Sequence, residues 1–391
     1  MKRKYLLLIP VLLTFVFFSS CRKDIPNVET PEAYIGGSFN EVFDAFWDGM
    51  NNNYVFWDID TTNWDNMYKI YKPIFAKLDI SKTSDIEKSV QYFRAMTDGL
   101  VDSHYNLSFT SPISDSSVSP AFDRKLKAGI IRNDYVFYQY DANYYLDSPY
   151  VQGVDSVNLL QGSATEAIAG TIGGNVLYLG FNQFNLKNSY TGADNGVKPV
   201  LQYFLNYLHN PPSGFKGIII DVRGNGGGDI SDLNFLVGNL ISTKLTVGYT
   251  RYKSGNGRLD YTPWAPAIVT PDTGAKAVTV PVVAITDIWT TSMAELTAMA
   301  IHALPGGNGH TVGETTWGAT GPLTNNEILN GGQFTGANFV SVYTSSSMFK
   351  YIDGKIYEGK GFPPDYDVPF NENDFQTYGD KQLEKALSLM P

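Results

Sequence analysis

The segment Gly217-Ile218-Ile219-Ile220-Asp221-Val222 runs straight into Arg223-Gly224-Asn225-Gly226-Gly227-Gly228. A run this apolar is a strand buried on both faces, and the glycines behind it let the backbone fold sharply with its N–H groups turned outward. Such a loop cradles an anion or an oxyanion, or is simply a tight turn. A dinucleotide loop is excluded, because G-x-G-x-x-G counted from Gly224 needs glycine where Asp229 stands. A phosphate loop is excluded as well, since no Lys-Ser/Thr pair comes after it.

Apolar runs and helical patterns alternate around this element. Val176–Phe181, Gly217–Val222 and Val282–Ile285 read as strands, and Val200–Leu208, Leu233–Leu240 and Met293–Ala303 as helices. Strand, helix, strand at this spacing predicts an α/β core over 175–391 with a mostly parallel sheet. Residues 38–105 read instead as an N-terminal helical domain, so the chain is α+β overall. Phe39, Val42, Phe43, Phe46, Trp47 and Met50 come after a candidate capping box, Ser38 and Glu41. A second helix carries Trp64, Met67, Tyr68 and Tyr71 with a kink expected at Pro73, and a third is expected to open at a second box, Ser84 and Glu87. The aromatic stripe reads as core. Between the two lies a β-rich middle module, 106–174, with a hairpin expected over Ala128–Tyr140 around Asn133-Asp134.

The 391 residues are 43% hydrophobic and only 17% charged, which excludes a disordered chain. The net charge of −10 argues against a nucleic-acid partner, which requires a concentrated positive face. Residues 1–20 read as a signal peptide: Lys2-Arg3-Lys4, an apolar run from Tyr5 to Phe18 broken by Pro10, then Ser19-Ser20. The single cysteine, Cys21, stands next at the cleavage point, and 21–37 reads as a tether. This arrangement resembles the lipobox of bacterial lipoproteins, which implies acylation of Cys21, export across the inner membrane and anchoring in the cell envelope. One cysteine forms no intrachain disulfide.

Ser292 lies in Thr291-Ser292-Met293-Ala294-Glu295, at a strand-to-helix turn. Helix N-terminal amides there favour an alkoxide, although Ser292-x-x-Glu295 is equally the pattern of a capping box. A serine nucleophile requires a base, and His209, His302 and His310 lie in a loop, a helix and a glycine-rich turn. His104 sits at the junction between the helical domain and the next strand, after Asp102-Ser103. The histidines are scattered without ligand spacing, so no metal is expected, and no cofactor.

Three segments in this order resemble serine peptidases of the C-terminal-processing (tail-specific) family: Ile219–Gly228, Thr291–Glu295 and Val312-Gly313-Glu314-Thr315-Thr316-Trp317-Gly318. The resemblance spans roughly Phe39–Val368 and implies a ClpP/crotonase-like core. The processing branch has a Ser–Lys dyad with lysine just after that last glycine, and here the position is Ala319. The other branch is similar to the tricorn-protease core, with a tetrad of serine, histidine, second serine and glutamate. Ser103-His104 fits its Ser-His pair, and Tyr357-Glu358-Gly359-Lys360-Gly361-Phe362-Pro363-Pro364-Asp365 its glutamate segment.

The resemblance therefore implies Ser292 as nucleophile and His104 as general base, with Ser103 and Glu358 polarising the base side. Gly226 or Gly227 and the amide of Met293 would form the oxyanion hole. Many members carry a PDZ module, whose Gly-Leu-Gly-Phe-type loop is not clear in 106–174; Gly153–Gly162 is a faint echo. The expected protein is thus an envelope endopeptidase acting on peptides or unfolded tails. Its rivals are a catalytically silent peptide- or ligand-binding lipoprotein on the same fold, and a glycan-binding surface lipoprotein suggested by the 14% aromatic content.

Overall fold

Ser38 opens the first helix because its hydroxyl accepts the Glu41 amide at 3.3 Å. In the computed structural model, which describes residues 37–391 apart from 111, 132–141, 256 and 324–330, this helix is α1 (Phe39–Asn53). Helices α2 (Trp64–Phe75) and α3 (Thr83–Thr97) come next, with Pro73 accommodated inside α2. The third helix starts one residue before the expected box at Ser84. Its N-cap position is Lys82, whose side chain offers no acceptor, and Ser84 falls inside the first turn, so no box forms. The aromatic stripe is core as expected, with Phe39, Phe43, Phe46, Phe75 and Phe93 fully buried. Phe46 meets Phe93 edge-on at 4.9 Å, and Trp47 stacks on Trp64 at 4.8 Å.

The chain continues through β1 (Asn106–Phe109), β2 (Ser117–Val118), α4 (Pro120–Lys127), β3 (Val151–Leu160), β4 (Ser163–Ile172) and β5 (Val176–Phe181). Next come α5 (Leu186–Thr191), α6 (Val197–His209), β6 (Gly217–Asp221), α7 (Ser231–Val237), β7 (Leu245–Tyr252) and β8 (Ala265–Val269). The last third holds β9 (Val282–Thr286), α8 (Met293–His302), β10 (Gly309–Gly313), β11 (Phe334–Gly336), β12 (Val340–Tyr343), β13 (Ser347–Tyr351), β14 (Tyr366–Asp367), α9 (Glu372–Tyr378) and α10 (Lys381–Leu387).

Among the described residues the main sheet has the order β14-β10-β9-β6-β5-β4-β3. It is parallel from β14 to β5 and antiparallel across β5, β4 and β3. Every residue of β5, β6 and β9 is buried, as strands covered on both faces require. A mixed α/β fold with N-terminal helices results. The segment 106–174 is shared between two sheets. β1 and β2 join β11 and β12 over the helical core, while β3 and β4 extend the main sheet. The part of the expected hairpin from 132 to 140, with its Asn133-Asp134 turn, lies outside the described residues.

A buried charge cluster braces the glycine loop. The Arg223 guanidinium contacts Asp221 at 2.6 Å and Asp380, at the start of α10, at 2.7 Å. Gln382 takes a further bond at 3.0 Å, and the Tyr178 hydroxyl donates to Asp221 at 2.8 Å. With its donors matched this way, a fully buried cation is tolerable.

Candidate active site

Ser292 stands between β9 and α8 with φ +59 and ψ −118, a conformation a side-chain-bearing residue holds only under local constraint. The constraint comes from the glycine loop. Thr291 N donates to Asn225 O at 3.0 Å, Gly224 N to Asp287 Oδ1 at 3.0 Å, and Thr290 Oγ1 to Val222 O at 2.9 Å. Gly227, at φ +90, lies directly against the turn. A Cβ there would sit 2.7 Å from Ser292 Cβ, 2.8 Å from Thr291 O and 2.9 Å from Met293 N, so only glycine allows this approach.

From the helix side, Ser292 N donates to Glu295 Oε2 at 3.0 Å, the glutamate half of the expected capping box. Glu295 is fully buried and also accepts Gly318 N and Ala319 N, both at 2.7 Å, and the Thr316 hydroxyl. Burial pushes its carboxyl above the ordinary range against the pull of these donors. Burial likewise pushes Asp287 up to about 6, and its Oδ2 is buried without a hydrogen-bond partner among the described residues. Ser292 opens onto a cavity of about 300 Å³, walled mainly by Leu160, Ile230, Met293, Leu296, Leu323 and Tyr343.

Of the expected oxyanion donors, Gly227 requires correction. Its N–H donates to Asn225 Oδ1 at 2.9 Å, because the asparagine side chain reaches two residues on and takes that amide. Gly226 is exposed, and the Met293 amide lies at the first position of α8, where no intrahelical partner exists.

The histidine turn comes after α3 and is pinned to the aromatic core. Val101 N donates to Asp60 at 2.8 Å, and Tyr54 OH to the same carboxylate at 2.6 Å. Asp102, fully buried, accepts His104 N at 2.9 Å and Ser345 Oγ at 3.0 Å on Oδ1. Its Oδ2 accepts Ser345 N at 2.8 Å and the Thr344 hydroxyl. Ser345 Oγ lies 3.4 Å from His104 Nδ1. Burial holds His104 below the usual imidazole range, opposed by the Asp102 charge.

Glu358 is brought to this turn, but its contact with Ser103 is to the backbone. Oε1 accepts Ser103 N at 2.7 Å, and Oε2 accepts Thr320 N and Gly321 N, each at 2.8 Å. The Ser103 hydroxyl is buried without a hydrogen-bond partner among the described residues. The turn thus presents the Ser103 N–H, not its hydroxyl, to the acid. Burial and the Asp102 charge push Glu358 well above the ordinary carboxyl range.

The two sides meet through neighbouring amides. Glu295 holds Ser292 N and Ala319 N, and Glu358 holds Thr320 N and Ser103 N. Tyr343 of the Ser292 cavity pairs with Asn106, two residues beyond His104. Among the described residues no direct hydrogen bond joins Ser292 to His104. Ala319, where the Ser–Lys branch has its lysine, is buried and offers Glu295 only its amide. Asp102, His104 and Glu358 place ligand atoms within 4.8 Å of one another. All four carboxylate oxygens there already accept protein donors, so the cluster is satisfied without a cation. Asp102 and Ser345 are the residues that sequence reasoning misses. Ser345 lies in Thr344-Ser345-Ser346-Ser347, where nothing marks one serine over another, whereas Asp102 is visible beside Ser103-His104 but carries no pattern that assigns it a role. Cys21 lies outside the described residues.

With this geometry in place, comparison with known proteins gives the class. Residues 175–368 match Peptidase family S41. The crystal structure of a candidate peptidase from Parabacteroides merdae ATCC 43184 is similar, with TM-score 0.65 and 21% identity over 90% of this chain and 96% of that one. It shows the shared fold. A lipoprotein from Streptococcus agalactiae has TM-score 0.46 and 14% identity over 90% and 95% of the two chains. The photosystem II D1 C-terminal processing protease has TM-score 0.45 and 14% identity over 88% and 98%. No curated protein matches. The chain carries a peptidase family S41 domain and is a serine-type peptidase, a hydrolase of peptide bonds.

Proposed function

We propose that the protein cleaves peptides or unfolded protein tails through an acyl-enzyme on Ser292, with His104 as general base. Ser292 Oγ attacks the scissile carbonyl carbon while its proton passes to the free ring nitrogen of His104, directly or through one water. The developing oxyanion is met by the Met293 amide at the head of α8, with Gly226 as second donor. Collapse returns the proton to the leaving amine, and water then releases the acyl group by the same route. One observation carries this reading: two buried carboxylates hold consecutive amides, Ala319 and Thr320, and so tie the serine turn to the histidine turn. The test is labelling with a fluorophosphonate. Modification at Ser292 is expected, with loss of about 10³-fold or more in Ser292→Ala and His104→Ala. A folded wild-type protein that resists labelling would instead favour a silent peptide-binding role for the same cleft.

The cellular setting is part of the proposal. Lys2-Arg3-Lys4, the apolar run to Phe18 and Ser19-Ser20-Cys21 support export and acylation at Cys21, placing the peptidase on an envelope membrane. Incorporation of labelled fatty acid that disappears in Cys21→Ser is the expected result. Incorporation that persists in Cys21→Ser, or is missing from the wild type, removes the anchor from the proposal.

A further inference from the structure

We propose that Ser345, held by Asp102, is the residue that positions the His104 ring and fixes its tautomer, in place of Ser103. This rests on the reading of His104 as general base. A serine hydroxyl has one proton to give. For Ser345 the candidate acceptors are Asp102 Oδ1 at 3.0 Å, Gly321 O at 3.4 Å and, in the other tautomer, His104 Nδ1 at 3.4 Å, and the shorter, charge-assisted bond to Asp102 takes the proton. An oxygen lone pair then remains toward His104 Nδ1 at 3.4 Å. A lone pair in that place selects the tautomer with the proton on Nδ1 and leaves Nε2 free to accept one, which is the state a base requires.

Asp102 is built to hold this serine. It accepts both the Ser345 amide and the Ser345 hydroxyl, and it also accepts the His104 amide, so histidine and serine are anchored on one carboxylate. Ser345 is fully buried, which confines its hydroxyl to these partners. Ser103 has no comparable arrangement. Its amide is taken by Glu358 and its hydroxyl bonds to nothing among the described residues. A relay of carboxylate, hydroxyl and imidazole results, assembled from residues more than 240 positions apart.

The experiment measures the tautomer directly. In ¹⁵N-labelled protein, the ring nitrogens of His104 are assigned by their loss in His104→Ala, at a pH where the ring is neutral. Wild type is expected to carry the proton on Nδ1, and Ser345→Ala to shift it toward Nε2. Fluorophosphonate labelling at Ser292 should fall about 10²-fold in Ser345→Ala and far less in Ser103→Ala. A wild-type ring protonated on Nε2 overturns the inference, and this single spectrum decides even if Ser345→Ala does not fold. Equal losses in the two serine variants with an unmoved tautomer overturn it as well. The peptidase reading fails separately. Wild type that resists labelling yet shows the tautomer shift in Ser345→Ala keeps the relay and discards the hydrolase, whereas labelled protein indifferent to Ser345 does the reverse.

Discussion

The serine side of the site is held at close range in sequence and along a buried sheet, while the histidine side is held across most of the chain. Ser292 N bonds Glu295 three residues on, Gly227 N bonds Asn225 two residues back, and both turns hang from neighbouring parallel strands. Asp102, by contrast, finds Ser345 at a separation of 243 residues, and Ser103 finds Glu358 at 255. The first arrangement forms wherever β6 and β9 pair. The second exists only once the segments around 320, 345 and 358 have closed onto the helical core. The serine turn is thus specified locally, and catalytic competence waits on long-range closure.

Breaking the joint between the sides gives the largest expected effect. Glu358→Ala leaves Ser103 N, Thr320 N and Gly321 N buried without their acceptor. At about 1–3 kcal/mol for each buried orphan, with partial relief by relaxation, denaturant unfolding should register a loss of about 3–5 kcal/mol. Labelling of Ser292 should fall with it even where the variant remains folded. Labelling at the wild-type rate in folded Glu358→Ala would mean that the two sides hold their relative position without this acid.

Two glycines sharpen the contrast. A methyl group at Gly227 meets backbone and Cβ atoms of the serine turn below 3 Å, so the loop and the turn must separate. A displacement of that order costs about 10²-fold in rate. At Gly49 in α1 the added Cβ would lie 2.2 Å from the Phe334 ring, inside the helical core. Overpacking there costs about 2 kcal/mol in stability. Gly227→Ala is therefore expected to damage labelling more than melting, and Gly49→Ala the reverse. Rates and melting temperatures that fall together in both variants would erase the distinction.

The same asymmetry governs what the sequence discloses. Val176–Phe181 appears as β5 with its ends unchanged, and Gly217–Val222, Val282–Ile285 and Met293–Ala303 shift by one residue, because apolar runs bounded by glycine or proline leave little choice. Ser292 and its glycine loop are legible because local patterns carry them. The resemblance points to His104 and Glu358, yet which groups they touch is a tertiary matter. Asp102 and Ser345 belong to segments with no periodic relation, and three backbone amides, with the Thr320 hydroxyl, turn out to hold Glu358. The N-terminus of α3 departs from the box pattern because the helix begins at Thr83, behind Lys82, and takes Ser84 into its first turn. The division of 106–174 between two sheets is equally invisible to local pattern, because strand partners are chosen by the whole chain.

The smallest effect comes from acid, and it separates the sides by sign. His104 is held below 6.5 by burial, so its neutral, basic form persists to lower pH than in a free histidine. Labelling should stay level above pH 6.5 and decline only below it. Asp287, on the serine side, is raised from 3.8 to about 6. A carboxyl raised on folding favours the folded state most below pH 3.8, and that contribution is lost as pH rises through about 6. Asp287→Asn removes the titration. A shift of this size is worth about 3 kcal/mol across its full range, and the cost of the new amide nitrogen, being independent of pH, displaces the variant's curve without changing that slope. Relative to wild type, the variant should gain about 2 kcal/mol in denaturant unfolding as pH rises from 4 to 6. The other raised carboxyls, Asp232, Glu295 and Glu358, are common to both proteins and cancel in the difference. The labelling profile of Asp287→Asn should keep the wild-type inflection, since Asp287 contacts Gly224, Trp289 and Thr290 but not His104. Parallel stability curves would show that Asp287 does not titrate in this range, and a displaced inflection would show the serine and histidine sides to be electrostatically one.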